Sequence, residues 1–291
     1  METALEHFVK GRDWDNAAAA AGNLSELHLV VGDLARAEAR AREGVEHADR
    51  SWDTFDRIVA RTQLADALHH RGDFAAAQEL VEDAEARQRA QQPYYRLLYS
   101  LPGYVCCDLF LEQGAATAVV HHATETLEWA TAQGSLLDIA LDHLSLGRAH
   151  FALGELGSAQ GHFDRAIEGL RTAGQVAYIM RGLLARAAFR RAAGELVTAR
   201  RDVAEALKLV ERSGFRLHTA DCALEEARIA LTESKSKGLN AADVDAKIAE
   251  AREALRRAHA LVEEMGYGRR RPELAELGRA LGESEEPEAR A

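Results

Sequence analysis

Cysteine is scarce in this sequence of 291 residues, and its three copies give no sign of a cross-linked small domain. Cys106, Cys107 and Cys222 make an odd count without CxxC spacing, so neither a disulfide framework nor a zinc site is indicated. All three lie in apolar stretches that should be helical, where a free cysteine packs as a small hydrophobe. We therefore expect buried, inert thiols.

The sequence also lacks a long apolar run and a surplus of positive charge. Its longest uncharged apolar stretches are shorter than the roughly 18 to 20 residues that a membrane span needs. The N-terminal segment METALEHFVKG has no basic region followed by an apolar run, as a signal peptide would. A formal net charge of −11 argues against non-specific nucleic-acid binding. We expect a cytoplasmic protein that binds neither nucleic acid nor membranes.

Proline, β-branched residues and catalytic motifs are sparse or missing as well. Four prolines and a composition rich in Ala, Leu, Glu and Arg favour helices throughout. The sequence has no GxxxxGK[ST], GxGxxG, GxSxG or HExxH motif, so phosphate-binding loops and the common hydrolase signatures are missing. We expect an all-α protein that has no catalytic constellation and needs no cofactor.

A repeat with a step of 40 to 42 residues is the main feature that the sequence does contain. One glycine marks the same point in each unit: Gly32, Gly72, Gly114, Gly154 and Gly194. A small residue follows each glycine after five positions: Ala37, Ala77, Val119, Ala159 and Ala199. Small residues at a fixed place in each unit predict that two helices cross closely there.

A second series of glycines predicts where the second helix of each unit ends. Its members are Gly134, Gly174, Gly214 and Gly266, with steps of 40, 40 and 52 residues. The longer last step predicts an insertion near residues 232–243. We expect six helical hairpins from Asp13 onwards, preceded by one helix and followed by a short helix from Pro272.

The order of small residues resembles the tetratricopeptide repeat, whose usual unit has about 34 residues. One hairpin of this kind cannot bury its apolar stripe alone, so stacking should give a right-handed superhelical solenoid whose first helices line the concave side. We expect residues 1–282 to form one elongated array and residues 283–291 a disordered acidic tail. Pro102 and Gly103 should kink or break one first helix.

Longer segments resemble one family of bacterial tetratricopeptide arrays, the C-terminal sensor regions of signalling NTPases of the NACHT and NB-ARC kind. The segments are LLYSLPGYVCCDLFL, TLEWATAQGSLLDIALDHLSLGRAH, RGLLARAAFRR, ARRDVAEAL and GFRLHTADCALEEARIAL. The resemblance covers roughly Ala4 to Leu277, although Pro102 departs from the family pattern LYSL-x-GY. It implies a sensor that binds a ligand or partner and restrains or releases an NTPase, which this sequence does not contain.

Positions that face the groove in tetratricopeptide repeats predict a candidate site. In the second and third units they hold Asp66, His69, His70, Asp108 and Glu112, and in later units Arg148, Arg181, Arg191, Asp221 and Arg228. Residues 175–216 carry nine Arg or Lys against four acids, a local surplus of positive charge. The candidate ligand-binding residues are Arg148, Arg181, Arg191, Asp221, Arg228 and Asp108, and the expected ligand is an acidic peptide or an anionic small effector. The alternative is that the arginines pair with acids on adjacent helices.

Twelve histidines raise the rival possibility of a metal-dependent hydrolase. His143 and His150 share a helix face, but they occupy positions where this repeat has large core residues. Two further dipeptides place their side chains in different directions on a helix, so neither can chelate from one face. They are His69-His70 and His121-His122, which we expect at the surface or the core rim.

The interpretation that fits these observations best is a non-catalytic scaffold without a metal site. It should bind a protein, a peptide or a small effector in its concave groove. Besides the hydrolase, a structural self-assembly module stays open as an alternative.

Overall fold

The computed structural model describes residues 1–282. All the regular secondary structure in this part of the chain is helical, and none of it is strand. The predicted acidic tail, residues 283–291, lies outside the described residues. The helices are α1 (Glu2–Gly11), α2 (Trp14–Val31), α3 (Leu34–Arg50), α4 (Thr54–Arg71), α5 (Phe74–Gln91), α6 (Ser100–Glu112), α7 (Ala116–Gln133), α8 (Leu136–Ala152), α9 (Leu156–Ala173), α10 (Val176–Ala192), α11 (Leu196–Ser213), α12 (Leu217–Glu233), α13 (Ala241–Met265) and α14 (Arg271–Ala280), with a short 3-10 helix at Gly268–Arg270.

The Gly-Asp pairs of the first units end one helix and begin the next. Gly72 follows α4 with φ of 88°, a left-handed conformation that glycine adopts without strain. The next residue, Asp73, caps α5, because its carboxylate accepts a hydrogen bond from the amide of Ala76 at 3.2 Å. Gly32 and Asp33 repeat this arrangement between α2 and α3. Two adjacent residues therefore fix each tight turn.

The small residues that follow the glycines lie where the paired helices cross. All five are fully buried: Ala37, Ala77, Val119, Ala159 and Ala199. The helices pack as successive antiparallel pairs, from α2 with α3 to α12 with α13. The predicted all-α solenoid of antiparallel helix pairs is therefore confirmed.

The predicted kink or break at Pro102 and Gly103 is not found at those residues, which lie inside the continuous helix α6, but a non-helical segment over residues 92–99 precedes them and shortens this first helix. The chain leaves α5 at Gln91 and becomes helical again only at Ser100, so α6 has 13 residues where α4 has 18. Pro102 lies in the first turn of α6, where its missing amide costs no helical hydrogen bond. A Cβ on Gly103 would lie 2.6 Å from the carbonyl oxygen of Leu98, so the irregular segment packs tightly against the start of α6.

The last hairpin is larger than the others. A loop over residues 234–240 joins α12 to α13, and α13 has 25 residues, against 18 in α11. The extra residues of this unit are thus divided between the loop and additional turns of α13. None of the described helices is long and apolar enough to cross a membrane.

The two ends of the array contact each other, which the expectation of an elongated array did not include. One buried apolar cluster contains residues of α2 to α6 together with residues of α12 to α14. A Cβ on Gly268 would lie only 2.1 Å from the carbonyl oxygen of Arg71, at the end of α4. Side chains of α6 also bind Arg269 of the short 3-10 helix. We call the docking of residues 267–273 on α4 and α6 the closure contact.

Candidate functional site

The first helices of the hairpins surround two cavities on the concave side. The charged chamber has a volume of ≈ 320 Å³ and is also lined by residues 267–273. The apolar cavity, of ≈ 780 Å³, lies between α2, α4, α6 and α10. Five of the six predicted site residues line the charged chamber: Asp108, Arg148, Arg181, Asp221 and Arg228. Arg181 lines both cavities.

Asp108 of α6 is the centre of one half of the charged chamber. Its side chain is only 3% exposed, and both oxygens accept hydrogen bonds from Arg269 at 2.7 and 3.0 Å. Arg148 of α8 adds an ion pair at 2.6 Å. Burial works to raise the pKa of Asp108, but Arg269, Arg148 and His69 outweigh it and hold that pKa well below its ordinary value. The carboxylate is therefore charged and fully paired.

Asp221 of α12 is the centre of the other half. It accepts a hydrogen bond from Arg270 Nε at 2.7 Å and another from the Tyr267 hydroxyl at 3.2 Å. Burial again raises its pKa, and Arg270 and His218 more than offset this, so the pKa is lowered. Glu273 accepts hydrogen bonds from both Arg270 and Arg228. The cations of this half are thus also paired inside the protein.

Arg191 does not line either cavity, although the repeat pattern assigned it to the groove. Its Nε donates to Glu225 Oε1 at 2.7 Å. Glu225 also lies 3.6 Å from Arg228. The alternative considered from the sequence, pairing with acids on adjacent helices, therefore describes Arg148, Arg191 and Arg228.

Arg181 is the exception among the predicted arginines. Its side chain is 14% exposed, and within residues 1–282 no acceptor lies in hydrogen-bonding geometry around its guanidinium. The nearest carboxylate, that of Asp66, is 3.9 Å away and also contacts His70 at 3.2 Å. The rings of Tyr104 and Tyr178 lie 5.7 and 5.3 Å from the guanidinium carbon. These rings stabilise the cation through their faces.

The apolar cavity has a different lining from the charged chamber. Its walls are mainly aliphatic and aromatic side chains: Leu27, Leu29, Val30, Phe55, Val59, Leu101, Val105, Val176, Tyr178 and Phe215. The amide side chains of Asn23, Gln63 and Gln175 border the same space. Arg181 is the only cationic side chain among its described lining residues, beside three acids, Glu26, Asp66 and Asp138.

The repeat pattern did not single out the C-terminal residues of the charged chamber. Tyr267 is fully buried and stacks on His70, with ring centroids 5.6 Å apart. Arg269 and Arg270 supply the guanidinium groups for Asp108 and Asp221. The available signal was the run of three arginines just after Gly266, but the repeat gives no reason for it to reach α6.

The histidine dipeptides are more deeply buried than expected. His69 and His70 are 1% and 2% exposed, so the prediction that they lie at the surface or core rim is wrong. His69 lies within 3.8 Å of both Asp108 and Glu112, because α4 and α6 pack side by side there. His122 is also buried, and its Nε2 lies 2.7 Å from the carbonyl oxygen of Leu98.

His143 and His150 are brought together by a third histidine. The Nδ1 atoms of His143 and His162 are 3.0 Å apart, and the ring of His150 stacks on that of His162. Burial lowers the pKa of His143 to about 4, with the neighbouring charge of His162 as a smaller cause. Burial also lowers the pKa of His162, so His143 and His162 pack as neutral groups between α8 and α9.

The three cysteines are buried, as expected. Burial raises the pKa of each thiol, and nearby acids such as Glu85 and Asp142 act in the same direction for Cys106 and Cys107. A protonated, buried thiol is a poor nucleophile, so none of the three is a candidate for covalent chemistry.

No protein-family model matches the chain, and no curated protein matches it either. The solved structures similar to it include two whose TM-scores lie above 0.5. The crystal structure of a Rap protein complexed with Competence and Sporulation Factor aligns with a TM-score of 0.59 and 11% identity, covering 96% of this chain and 78% of that one. Aspartyl phosphate phosphatase F from Bacillus subtilis aligns with a TM-score of 0.54 and 9% identity, covering 94% and 73%. At these identities the likeness shows a shared helical-repeat fold of tetratricopeptide-like type.

Proposed function

We propose that the protein is a non-catalytic scaffold that binds a peptide ligand in its concave apolar cavity. The observation that carries this proposal is the cavity itself. Its volume of ≈ 780 Å³ falls in the range of about 300 to 1,000 Å³ that is typical of ligand sites, and its walls are apolar with a few polar groups. Amide side chains at its border, such as Gln63 and Gln175, can bond the backbone of a peptide.

The similarity in fold to a Rap protein also supports the proposal. A fold of this kind, in the Rap protein, has been crystallised in complex with Competence and Sporulation Factor. A role in bacterial signalling in the cytoplasm, and an origin as the sensor part of a NACHT or NB-ARC NTPase, stay proposals.

In this proposal the charged chamber stabilises the fold and is not the ligand site. Asp108, Asp221 and Glu273 already bind the arginines around them, so an incoming anion would have to break buried ion pairs. Breaking such pairs costs several kcal/mol, about 3 to 5 where one partner is lost. Of the candidate residues, Arg181 is the one that remains for a ligand.

The geometry gives little support to the alternative hypothesis of a metal-dependent hydrolase. Asp66, His69 and Asp108 bring ligand atoms within 4.8 Å of one another, which is close enough to hold a metal ion. Asp108, however, already binds the guanidinium groups of Arg269 and Arg148, and a further cation beside them would be repelled. The second structural neighbour is a phosphatase by description, but at 9% identity it shows the fold alone.

The experiment is to fill the apolar cavity and measure ligand binding. Val59 is half-buried and lines the cavity, so Val59→Trp should occupy the space that a ligand needs. A synthetic pool of short apolar peptides should raise the melting temperature of the unmodified protein but not that of Val59→Trp, since binding to the folded state stabilises it.

The matched control is Val197→Trp, because Val197 is 77% exposed on α11 and lines neither cavity. This variant should keep the full shift. A pool that leaves the melting temperature of the unmodified protein unchanged, or shifts both variants equally, would contradict the proposed function.

A further inference from the structure

We propose that Glu85, Cys106 and His122 bind one thiophilic divalent cation of the zinc type, which links α5, α6 and α7. A carboxylate oxygen of Glu85, the sulfur of Cys106 and a ring nitrogen of His122 lie within 4.8 Å of one another. Each of the three residues belongs to a different helix. The site is separate from the proposed peptide site, because none of the three residues lines either cavity.

Glu85 departs from the repeat at a position that is otherwise aliphatic. It lies 13 residues after Gly72, and the same place in the other four units holds an aliphatic side chain: Val45, Leu127, Ile167 and Leu207. The side chain of Glu85 is nevertheless only 16% exposed. An acid in such a position costs free energy of folding unless it has a good partner. The packing of the repeat gives no reason for an acid there, whereas a bound cation does.

The two carboxylate oxygens of Glu85 have different neighbours. Oε2 accepts a hydrogen bond from Arg89 at 3.4 Å, and this arginine is 52% exposed on the same helix. Oε1 lies 3.9 Å from the sulfur of Cys106. In a tetrahedral zinc site, bonds of about 2.3 Å to sulfur and about 2.1 Å to oxygen place these two atoms about 3.6 Å apart. Oε1 and the sulfur are therefore already close to the spacing of two ligands of one ion.

His122 is held in the form that a metal ligand needs. The residue is 4% exposed, and burial lowers its pKa, so the ring is neutral. Its Nε2 lies 2.7 Å from the carbonyl oxygen of Leu98. The neutral ring therefore carries its proton on Nε2 and keeps a free lone pair on Nδ1. Histidines that bind a metal usually donate their other N–H to a carbonyl or a carboxylate in this way.

The non-helical segment over residues 92–99 contacts all three helices that carry the ligands. Gln88 of α5 donates a hydrogen bond to a carbonyl of the segment at 2.6 Å. The carbonyl of the buried Leu98 lies against Gly103 of α6 and against His122 of α7. The one irregular connection between two first and second helices thus orients a ligand of the proposed site.

The donor atoms and their charges select the class of cation. Sulfur and imidazole nitrogen favour Zn²⁺ and similar ions, whereas Mg²⁺ and Ca²⁺ prefer oxygen. A thiolate and a carboxylate bring two negative charges, so one divalent cation leaves the buried site neutral. On binding, the ion replaces the thiol proton of Cys106, which leaves to solvent. The three side chains occupy three tetrahedral positions, and a water molecule takes the fourth.

Co²⁺ is the probe for the test, because a thiolate bound to this ion gives a near-ultraviolet charge-transfer band that oxygen and nitrogen ligands do not give. The protein is treated with a chelator, freed of it and titrated with Co²⁺ near neutral pH. We expect the band to grow until one ion is bound per chain and to disappear when Zn²⁺ is added, since zinc binds such a site more tightly than cobalt. Zn²⁺ should also raise the melting temperature.

Two cysteine variants assign the band to one sulfur. Cys106→Ser should abolish it. Cys107→Ser is the matched control, because Cys107 is the next residue, is equally buried and is not part of the cluster. This variant should keep the band and the effect of Zn²⁺ on the melting temperature.

A variant of Glu85 tests the site without depending on the cysteine. Glu85→Leu restores the kind of side chain that the other units have, so it should fold at least as well as the unmodified protein when no metal is present. It should weaken Co²⁺ binding by at least about tenfold, since even residues that only orient a ligand contribute about 10- to 100-fold. Glu79→Leu is the control, because Glu79 is exposed on the same helix and lies outside the cluster.

Three results would each overturn the proposed metal site. They are a Co²⁺ spectrum without a sulfur band, a band that persists in Cys106→Ser, and equal Co²⁺ affinity in Glu85→Leu and Glu79→Leu. If Cys106→Ser does not fold, the comparison of the two glutamate variants still decides. None of these results bears on peptide binding, because the cavities contain none of the three ligands.

Discussion

The charged chamber and the apolar cavity lie side by side and share Arg181, yet they differ in how their polar groups are satisfied. In the charged chamber Arg269 and Arg270 meet carboxylates of α6, α12 and α14. In the apolar cavity the one cation of the described lining, Arg181, makes no hydrogen bond within residues 1–282, and the space beside it is larger. A dense cluster of paired charges in the groove can therefore hold a repeat array together. The ligand site should be sought beyond the residues whose charges are paired in this way.

The largest expected effect tests whether the charged chamber is structural. Asp108→Asn removes the negative charge between Arg269 and Arg148 and should lower the free energy of unfolding by about 3 to 5 kcal/mol, since both guanidinium groups are then left buried without it. Urea denaturation measures this. The control is Glu253→Gln, which breaks an exposed pair with Arg256 and should cost less than about 1 kcal/mol. Similar losses in the two variants would mean that the chamber contributes no more than surface charge.

A pH titration tests whether the charge of Glu112 stabilises the protein in the same way. Burial works to raise its pKa, but His69, 3.8 Å away, and the charge of Arg269 outweigh burial and lower the pKa to about 2, against an ordinary value of 4.5. A lowered pKa means that the stabilisation is fully present above pH 4.5 and is lost as the pH falls towards 2. The stability gap between the unmodified protein and Glu112→Gln should therefore shrink over this interval.

Urea midpoints measured at half-unit steps between pH 2 and 7 would follow the gap. Glu211→Gln serves as the control, because Glu211 is exposed on α11 and should show no such change. A gap for Glu112→Gln that is constant with pH would count against charge pairing as the source of stability.

A steric substitution at the closure contact should have a smaller effect on stability. Gly268→Ala would place a methyl group 2.1 Å from the carbonyl oxygen of Arg71, so the short 3-10 helix must shift away from α4. We expect a loss of about 1 to 3 kcal/mol, as for overpacking elsewhere. Gly161→Ala, at an exposed position of α9 with open space around it, should instead add about 0.5 to 1 kcal/mol. Thermal melts of the two variants should move in opposite directions.

The smallest effect is expected for Arg181, where the two cavities meet. Arg181→Met removes a guanidinium that has no hydrogen bond within residues 1–282 but has a 3.9 Å ion pair with Asp66 and two tyrosine contacts, so its free energy of unfolding should fall by only about 1 kcal/mol. The same change at Arg269 removes three hydrogen bonds and should cost several times more. A large loss at Arg181 in urea denaturation would show that this side chain is structural too.

The helical pairs could be predicted from sequence because their signals are local. The glycine that ends a helix, the aspartate that caps the next and the alanine at the crossing lie within six residues of one another in the first two units, as at Gly72, Asp73 and Ala77. The same spacing recurs along the chain, which is why the fold class followed from the pattern.

The site could be predicted only in part, because its pairing is not local. Repeat positions correctly placed Asp108, Arg148, Arg181, Asp221 and Arg228 around one cavity. They could not show that Arg269 binds Asp108, since 161 residues separate the two and the contact exists only after the array has closed. For the same reason the burial of His69 and His70 was missed, as was the distant pairing of Arg181 with Asp66, at 3.9 Å.

The closure contact also limits how many units this protein can have. In an open solenoid each unit touches only its neighbours, so a unit can be gained or lost at little structural cost. Here Gly268 and Arg269 must arrive at α4 and α6, and one hairpin more or fewer would carry them past that position. Duplication of a unit, the usual route by which repeat proteins change length, is therefore blocked unless the C-terminal segment changes with it. The length of the array is then set by geometry, and the terminal hairpins should resist fraying because each end covers the other.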